Sequence, residues 1–299
     1  MAATTTDPEI SDPRRSVGPI QPLTDPDWKR PGRGKRVLGY IVDRTYLVIT
    51  LGFILGFLLL WEWMTDSGIL HAIVVPGPAE VWDRFLAILP ESYFHTHLWV
   101  TVKEILIGFS IGASSGIATA LVCLRFPLFR RVVTPYMVSL QALPKVVLLP
   151  LFYVWFGVGP MSATLIVILV TFFPVYINTI TGMAIVDENG LRLLHSLGAT
   201  PRQAFKMYRV PSALPLIFTG LKTAVNFGVT AAIAAELLGS RYGLGFMIVN
   251  SGTFLRIADL YATVAVVALF AAIVYFIFEV LDRKLIFWRE DRPGSKRKS

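Results

Sequence analysis

Residues 161–183 read MSATLIVILVTFFPVYINTITGM. No Asp, Glu, Lys or Arg interrupts this stretch, and as a helix it is long enough to cross a hydrocarbon core of about 30 Å. Backbone amides find no water partner in lipid, so a spanning segment is either a helix or part of a closed barrel. The apolar residues run on without the strict alternation that barrel strands require. The stretch is therefore predicted to be a membrane-spanning helix.

Five more apolar runs of comparable length lie on either side of it. They are Tyr46–Met64, Leu98–Leu124, Thr134–Phe156, Ser212–Leu238 and Leu260–Leu281. The chain of 299 residues is 54% hydrophobic and only 16% charged, which is outside the usual range of water-soluble domains. The predicted fold is an all-α, polytopic membrane bundle of six transmembrane helices, with both termini on the same side.

Polar, basic ends flank this apolar region. Residues 1–44 are rich in proline, aspartate, threonine and arginine, and they are too polar to form a core alone. We predict a disordered basic cytoplasmic tail at 1–44, a transmembrane domain at 45–288 and a second basic tail at 289–299. The N-terminal segment lacks the apolar core of a signal peptide, so no cleavage is expected.

The net charge of +8 reflects where the basic residues lie. Lys and Arg are concentrated in both tails and in the loops after the second and fourth runs, whereas the opposite loops hold Arg84, Arg241 and Arg256. The positive-inside rule then places both termini and the two basic loops in the cytoplasm. No basic face with interleaved aromatic residues is visible, so no nucleic-acid partner is expected. The single cysteine, Cys123, excludes an internal disulfide and a cysteine-based metal cluster.

Three shorter patterns concern packing. Gly108, Gly112 and Gly116 fall on one face of the second run and predict a central helix that its neighbours approach closely. Segments Ala79–Leu89 and Leu244–Phe254 are apolar at helical spacing. They are predicted to be short helices at the outer surface, where they either cap the bundle or contact a partner.

The cytoplasmic loop between the fourth and fifth runs, residues 187–211, is both basic and amphipathic. Its apolar residues recur at helical spacing on both sides of a turn. They are Leu191, Leu194, Leu197, Ala204, Phe205, Met207 and Tyr208. Thr200 suits an N-cap, Pro201 the first helical position, and Gly198 the left-handed residue that ends the preceding helix. The pattern predicts two short helices joined by a turn and able to dock on another protein.

This loop resembles a known motif. Gly198 and Pro211 occupy the glycine and proline positions of the EAA loop of ABC importer permeases, with Val210 in place of the usual Leu. Further similar segments are Leu143-Pro144-Lys145-Val146, Leu149-Pro150-Leu151-Phe152, Trp155-Phe156-Gly157, Phe173-Pro174, Ala235-Glu236-Leu237-Leu238-Gly239 and Gly243-Leu244-Gly245. Over roughly residues 70–288 the chain resembles the nitrate, sulfonate and taurine branch of the binding-protein-dependent transport permeases.

The resemblance implies a type I ABC importer permease that is not itself an enzyme. Two copies of the chain would form the translocation path, cytoplasmic ABC ATPase subunits would bind ATP and Mg²⁺, and an extracytoplasmic substrate-binding protein would dock outside. The chain lacks Gly-x-x-x-x-Gly-Lys-Ser/Thr, so no nucleotide cofactor is expected on it. The implied solute is small, either an anion of the sulfonate, nitrate or taurine type or a thiamine-precursor-like pyrimidine.

The coupling residues that the resemblance implies all lie in the loop. They are Arg192, Leu194, Gly198, Ala199, Pro201, Phe205 and Pro211. Arg192 stands where the family has the glutamate of its motif, and Glu188 lies too far upstream to replace that glutamate. Either the ATPase carries a compensating acidic group, or docking depends mainly on the apolar face and Gly198.

Ionisable residues and prolines within the runs are candidates for the translocation path, because intramembrane charges are costly and transporters often use broken helices. The candidates are Pro144, Lys145, Pro174, Lys222 and Glu236. Lys145 is expected either to attract an anionic solute or to snorkel or form an ion pair. Lys222 is expected to snorkel, pair or line the path, and Glu236 to pack a helix end or line an outer gate. Glu104 is expected to pack a helix end or form a salt bridge.

Other interpretations fit less well. His95 and His97 lack a third ligand, so interfacial anchoring beside Trp99 is preferred to a metal site. An intramembrane enzyme would need catalytic groups converging at one depth. A secondary ion-coupled transporter would need an inverted repeat and a mid-membrane coupling carboxylate, and neither is apparent in the sequence.

Overall fold

A computed structural model describes residues 33–71, 74–286 and 288. The chain divides into two compact units, residues 1–59 and 60–299. The first unit holds most of helix α1 (Arg33–Asp66), whose part from Val48 onward is apolar enough to span a membrane. Helix α1 begins inside the segment 1–44 that is predicted to be a tail. Residues 1–32 and 289–299 lie outside the described residues.

The second unit is helical throughout its described residues, with no β-strand among them. Its helices are α2 (Pro78–Ile88), α3 (Ser92–Arg125), α4 (Pro127–Ala142), α5 (Leu149–Phe156), α6 (Pro160–Ala184), α7 (Glu188–Ser196), α8 (Pro201–Ala204), α9 (Val210–Gly239), α10 (Leu244–Thr253) and α11 (Ile257–Leu285). A 3₁₀ turn (Lys145–Leu148) precedes α5, and a π-helical turn (Phe205–Arg209) joins α8 to α9. The predicted all-α fold is confirmed.

Five helices within the described residues are long and apolar enough to cross a membrane, and there are six spans if one bent pair counts as a single span. That pair is α4 and the segment Lys145–Phe156, which meet at 89°. Pro144 explains the break, because it has no N–H and disfavours helical geometry at the residue before it. That residue, Leu143, is extended with ψ of 136°. The run Thr134–Phe156 is therefore not one continuous helix, although local unwinding at its proline is confirmed.

Two other membrane prolines do not unwind their helices. Pro174 lies inside α6 and Pro215 inside α9, and both helices continue across them. Asn178 Nδ2 donates to the Pro174 carbonyl over 2.8 Å, and Thr219 Oγ1 donates to the Pro215 carbonyl over the same distance. Neither helix is unwound at its proline, because a proline inside a packed helix removes only one hydrogen bond.

Helices α3, α6 and α9 form the centre of the second unit. A Cβ atom added to Gly112 of α3 would lie 2.6 Å from the Ile168 carbonyl oxygen of α6, and one added to Gly116 would lie 2.8 Å from that of Phe172. Both distances are shorter than real Cβ contacts, and backbone atoms cannot give way as a flexible side chain can. Glycine therefore sets how closely α3 and α6 approach, as predicted.

The short helices α2 and α10 pack against α11. A buried cluster joins the three helices to the start of α3. Its members are Ile88, Phe94, Leu244, Met247, Ala262 and Val266. The Arg84 guanidinium of α2 also donates to the Asp259 carboxylate of α11, and this hydrogen bond raises the pKa of Arg84. The predicted helices at Ala79–Leu89 and Leu244–Phe254 are confirmed, and the cluster shows that both cap the bundle.

Candidate coupling loop and membrane-embedded polar sites

The turn between α7 and α8 has a defined hydrogen-bonded geometry. Gly198 has φ of +80°, which is the left-handed region that favours glycine. Its N–H donates to the His195 carbonyl over 3.0 Å, and the Ala199 N–H donates to the Leu194 carbonyl over 3.0 Å. These two bonds form a Schellman motif that satisfies the free carbonyls at the end of α7. The predicted role of Gly198 as a helix terminator is confirmed.

The next residues start α8 with a capping box. The Gln203 N–H donates to Thr200 Oγ1 over 3.3 Å, and the Thr200 N–H donates to Gln203 Oε1 over 2.8 Å. Pro201 occupies the first turn, where its missing N–H costs nothing. The predicted capping at Thr200 and Pro201 is confirmed. Both ends of the turn are therefore fixed by residues within the turn itself.

The second helix of the loop is not a separate short helix, which corrects the prediction. A helical segment runs from Pro201 to Gly239, so α8, the π-helical turn and α9 are continuous. In the π-helical turn the Val210 N–H donates to the Phe205 carbonyl, one residue further back than in an α-helix. Pro211 follows immediately and cannot donate, so the wider turn absorbs the proline without ending the helix. A movement of the loop would therefore be transmitted directly to membrane helix α9.

Contacts with neighbouring helix ends hold the loop in place. A Cβ atom on Gly190 of α7 would lie 2.8 Å from Tyr208 Cε1, so the ring of Tyr208 packs directly on the α7 backbone. Arg209 Nε donates to the Met183 carbonyl near the end of α6 over 3.3 Å. These contacts join α6, α7 and the start of α9. Neither contact was predictable from the sequence, which shows only that a glycine and an aromatic residue are present.

The loop exposes an apolar surface, which we name the loop patch. Its members are Leu193, Leu197, Phe205 and Met207, whose exposed fractions are 61%, 75%, 39% and 73%. Of the other predicted coupling residues, Leu194 is half-buried and Pro211 is half-buried, whereas Arg192 is exposed. Large exposed apolar side chains on one loop are typical of surfaces that bind another protein. The apolar residues that were predicted to share one face of the loop are therefore partly packed against the chain and partly exposed to solvent.

Arg192 forms an ion pair within its own helix. Its Nη2 lies 3.4 Å from Glu188 Oε2, and the two side chains are 76% and 82% exposed. An exposed pair of this kind contributes only about 0.3–0.5 kcal/mol. Glu188 therefore pairs with Arg192 but is too weak a partner to hold the Arg192 side chain in one position.

The break between α4 and the 3₁₀ turn carries Lys145. Its Nζ donates to the carbonyls of Gln141 at 2.7 Å and Leu143 at 3.4 Å, and lies 4.9 Å from the centre of the Phe173 ring. The side chain thus caps the C-terminal end of α4, where a cation is favourable. Of the alternatives expected for Lys145, an ion pair is not formed with any carboxylate of the described residues, and the side chain caps the helix end instead.

The other path candidates are enclosed within the chain. Pro174 is buried in the central helices. Lys222 of α9 donates to Glu279 Oε2 over 2.6 Å and also to Asp282, both on α11, so its predicted pairing is confirmed. Glu236 is 1% exposed at the far end of α9. Pro144 and Lys145 lie at the more exposed break. Lys145 reaches the ring of Phe173, the residue before Pro174.

Glu236 belongs to a buried network that holds the start of α10. Thr101 Oγ1 donates to Glu236 Oε1 over 2.5 Å, and the Gly245 N–H donates to Glu236 Oε2 over 2.7 Å. The Leu244 N–H donates to Thr101 Oγ1 over 2.9 Å, and the Gly243 N–H donates to His97 Nδ1 over 2.9 Å. His97 is thus a buried hydrogen-bond acceptor, and the prediction that it anchors at the interface is wrong. Its partners are far apart in sequence, so no spacing could reveal the network.

The turn between α10 and α11 forms an exposed rim beside α2. Leu255 has φ of +56°, an uncommon conformation for a residue other than glycine, and both Phe254 and Leu255 are exposed. A surface depression of about 480 Å³ lies next to this turn. Its lining includes Glu80, Arg84, Leu255, Arg256 and Asp259. The rim therefore combines apolar, cationic and anionic groups on accessible side chains.

Comparison with known proteins defines the class. The chain matches the family "Binding-protein-dependent transport system inner membrane component" over residues 108–287. It is 32% identical over 238 residues to the formylaminopyrimidine transport permease protein ThiX of Halalkalibacterium halodurans, which covers 80% of this chain and 94% of the relative. It is 28% identical over 247 residues to the taurine transport system permease protein TauC of Escherichia coli, covering 81% and 90%.

Solved structures share the fold at lower sequence identity. The methionine ABC transporter MetNI, in an inward-facing conformation, gives a TM-score of 0.53 at 15% identity and covers 62% of this chain and 93% of that chain. An amino acid ABC transporter solved with histidines gives 0.51 at 17% identity, with coverages of 70% and 95%. The helix arrangement is therefore that of type I ABC importer permeases.

The fold and the helical loop define a membrane-spanning transport component. The chain belongs to the binding-protein-dependent transport permeases and is a permease subunit of an ABC importer. Its relatives are transport components and not enzymes.

Proposed function

We propose that this chain forms the translocation path of an ATP-driven importer and couples to a separate ATPase through residues 187–211. The observation that carries the proposal is the loop patch beside the turn at Gly198, which presents apolar side chains on a self-capped scaffold. Arg192, Ala199 and Pro201 complete the proposed contact surface. Because α8 continues into α9, nucleotide-driven motion of the ATPase would reach the membrane helices without an intervening flexible link.

The proposed orientation places this loop and both termini in the cytoplasm of a bacterial cell, with the chain in the plasma membrane. The distribution of Lys and Arg supports it. The ATPase would bind ATP and Mg²⁺ there, and the exposed rim of Phe254, Leu255 and Arg256 would then face outward. We assign docking of a substrate-binding protein to that rim, because backbone strain and exposed apolar groups are typical of functional surfaces.

The path itself is proposed to lie between two copies of the chain. The α4 helix has no buried residue, and the break that follows it exposes Pro144 and leaves Lys145 half-exposed. A face of this kind, carrying a cation at a broken helix, suits the wall of a solute pathway. Pro174, Lys222 and Glu236 would support the path walls from inside each copy and would not touch the solute.

The proposed solute is a small anion of the sulfonate, nitrate or taurine type, or a formylaminopyrimidine-like thiamine precursor. The named functions of two relatives support this range. The choice is testable on the substrate-binding protein, because a ligand that binds only the folded state raises its melting temperature. Taurine, ethanesulfonate, nitrate and a formylaminopyrimidine would be compared. Failure of all four to raise the melting temperature would refute the proposed solute class.

Reconstitution tests the transport proposal directly. Vesicles containing the chain, its ATPase and ATP on the ATPase side are expected to accumulate the solute when the binding protein is present outside. Vesicles with the chain but no ATPase are expected to show no accumulation under proton or sodium gradients. Gradient-driven uptake by the chain alone would identify a secondary ion-coupled transporter and overturn the proposal.

A further inference from the structure

Glu104 is the most isolated buried acid among the described residues. It lies on α3, is 2% exposed, and neither carboxyl oxygen has a hydrogen-bond partner. An ionised carboxylate without donors is strongly disfavoured in an apolar interior, whereas the neutral acid is tolerated. The described residues form no ion pair with it that could offset this cost. The stability of the packing around Glu104 therefore depends on whether its carboxyl group carries a proton.

The group beside Glu104 is a second acid, Glu236, and not a hydrogen-bond donor. Thr101 lies three residues before Glu104, on the same face of α3, and it donates to Glu236 Oε1, which places the Glu104 carboxyl beside that of Glu236 on α9. The two Glu236 oxygens already accept hydrogen bonds from Thr101 and from Gly245 at the start of α10. Of the two buried acids, Glu236 is therefore the one with donors that can stabilise a negative charge, namely a helix N-terminus and a hydroxyl. Two ionised carboxylates could only repel each other at this distance.

Other polar groups near the pair do not supply the missing hydrogen. His97 Nδ1 accepts from the Gly243 N–H. The Tyr153 hydroxyl donates to the Ala235 carbonyl over 2.6 Å. Neither group donates to Glu104. A proton on Glu104 itself is the remaining way to join the two acids.

We propose that Glu104 and Glu236 form a proton-binding dyad in which Glu104 keeps its proton at neutral pH and donates it to Glu236. The dyad carries one negative charge, which sits on Glu236 and holds the first turn of α10. A Cβ atom on Gly245 would lie 2.7 Å from Glu236 Cβ, so glycine is needed for this close approach. The bound proton thereby connects α3, α9 and α10 at one end of the bundle.

Infrared spectroscopy tests the proton directly. Protonated and ionised carboxyl groups absorb in separate regions, and the spectrum of the purified chain is recorded at neutral pH in a detergent without ester groups. The wild-type spectrum minus that of Glu104→Gln is expected to contain a protonated carboxyl band that shifts in deuterated water. The matched control is Glu80→Gln, whose carboxyl is exposed. Its difference spectrum is expected to show only ionised carboxylate bands. Ionised bands in the Glu104→Gln difference would overturn the proposal.

Thermal unfolding provides a second measurement that does not depend on transport. Glu104→Gln is expected to keep the wild-type melting temperature, because its amide N–H can donate to Glu236 as the acid does. Glu104→Ala is expected to lower the melting temperature by several degrees, since Glu236 loses its donor and a cavity forms. If Glu104→Gln melts as low as Glu104→Ala, or fails to fold, the proton assignment is wrong.

Discussion

Two substitutions at Gly198 distinguish the cost of an unfavourable backbone conformation from a lack of space for a side chain. Gly198 has φ of +80°, and a Cβ atom added there would meet nothing within 4 Å in this chain. A substitution is therefore opposed by backbone conformation and not by lack of space. Valine, which is β-branched, tolerates this region poorly, whereas asparagine adopts it more readily. Gly198→Val and Gly198→Asn place side chains of similar size at the same position with different backbone costs.

The expected cost for valine follows from the geometry. A left-handed residue with a Cβ costs about 1–2 kcal/mol, and each 1.4 kcal/mol is about a tenfold change in population. The Schellman bonds of the Gly198 and Ala199 N–H groups exist only while the turn is left-handed. The equilibrium constant between the docking-competent turn and its alternatives should therefore fall about 5- to 30-fold in Gly198→Val. Gly198→Asn should retain most of it.

The assay is ATP-driven uptake into vesicles, combined with pull-down of the ATPase by the purified permease. We expect Gly198→Val to insert normally but to lose most uptake and ATPase binding, with Gly198→Asn close to wild type. Wild-type uptake by the valine variant would refute the role of the turn in coupling. Equal loss in both variants would refute the strain argument, because it would mean that the ATPase itself needs the space beside Gly198.

Three further substitutions have outcomes that the contacts specify. Gly112→Ala should lower the free energy of unfolding by about 1–3 kcal/mol through overpacking. The control Gly56→Ala, where a Cβ meets nothing within 4 Å, should be neutral or stabilising. Equal melting temperatures of the two variants in detergent would contradict this. Lys222→Met should cost about 3 kcal/mol because it removes the buried cation that Glu279 and Asp282 share, against about 1 kcal/mol or less for Arg283→Met, whose side chain is 77% exposed. Chemical unfolding compares the two variants. Lys145→Met should slow uptake of an anionic solute about tenfold, since a charge-assisted hydrogen bond contributes about 1.5 kcal/mol, and unchanged uptake would leave Lys145 with its capping role alone.

Local patterns predicted the elements of the fold well. Long apolar runs with few charges located α3, α6, α9 and α11, because a backbone in lipid must satisfy its own hydrogen bonds, as a helix does. The capping residues Thr200 and Pro201 were predictable for a similar reason, since their hydrogen bonds are made within a few residues. The break at Pro144 was predictable as unwinding but not as an 89° bend, because the angle depends on which surfaces the two pieces pack against.

The polar sites were predicted less well, and the reason is distance along the chain. Thr101 and Glu236 are 135 positions apart, and Lys222 and Asp282 are 60 positions apart. The sequence shows that burying such polar residues in a membrane costs free energy. It does not show which of them form hydrogen bonds or ion pairs with each other. The π-helical turn before Pro211 was missed because a proline usually signals the start or end of a helix. Here the wider turn removes the conflict and the helix continues.

Because Arg192 stands where the family has a glutamate, the proposed binding of the loop to the ATPase needs a different source of affinity. Its pairing with Glu188 is exposed and weak, so the charge stays accessible to another acid. The loop patch, by contrast, offers Leu197 and Met207 with about three-quarters of their surface exposed. Burying apolar surface contributes roughly 25 cal/mol per Å², so the patch is the larger source of affinity. If the loop binds the ATPase as proposed, we infer that the apolar patch provides most of the affinity, whereas Arg192 favours an ATPase surface that carries an acidic group.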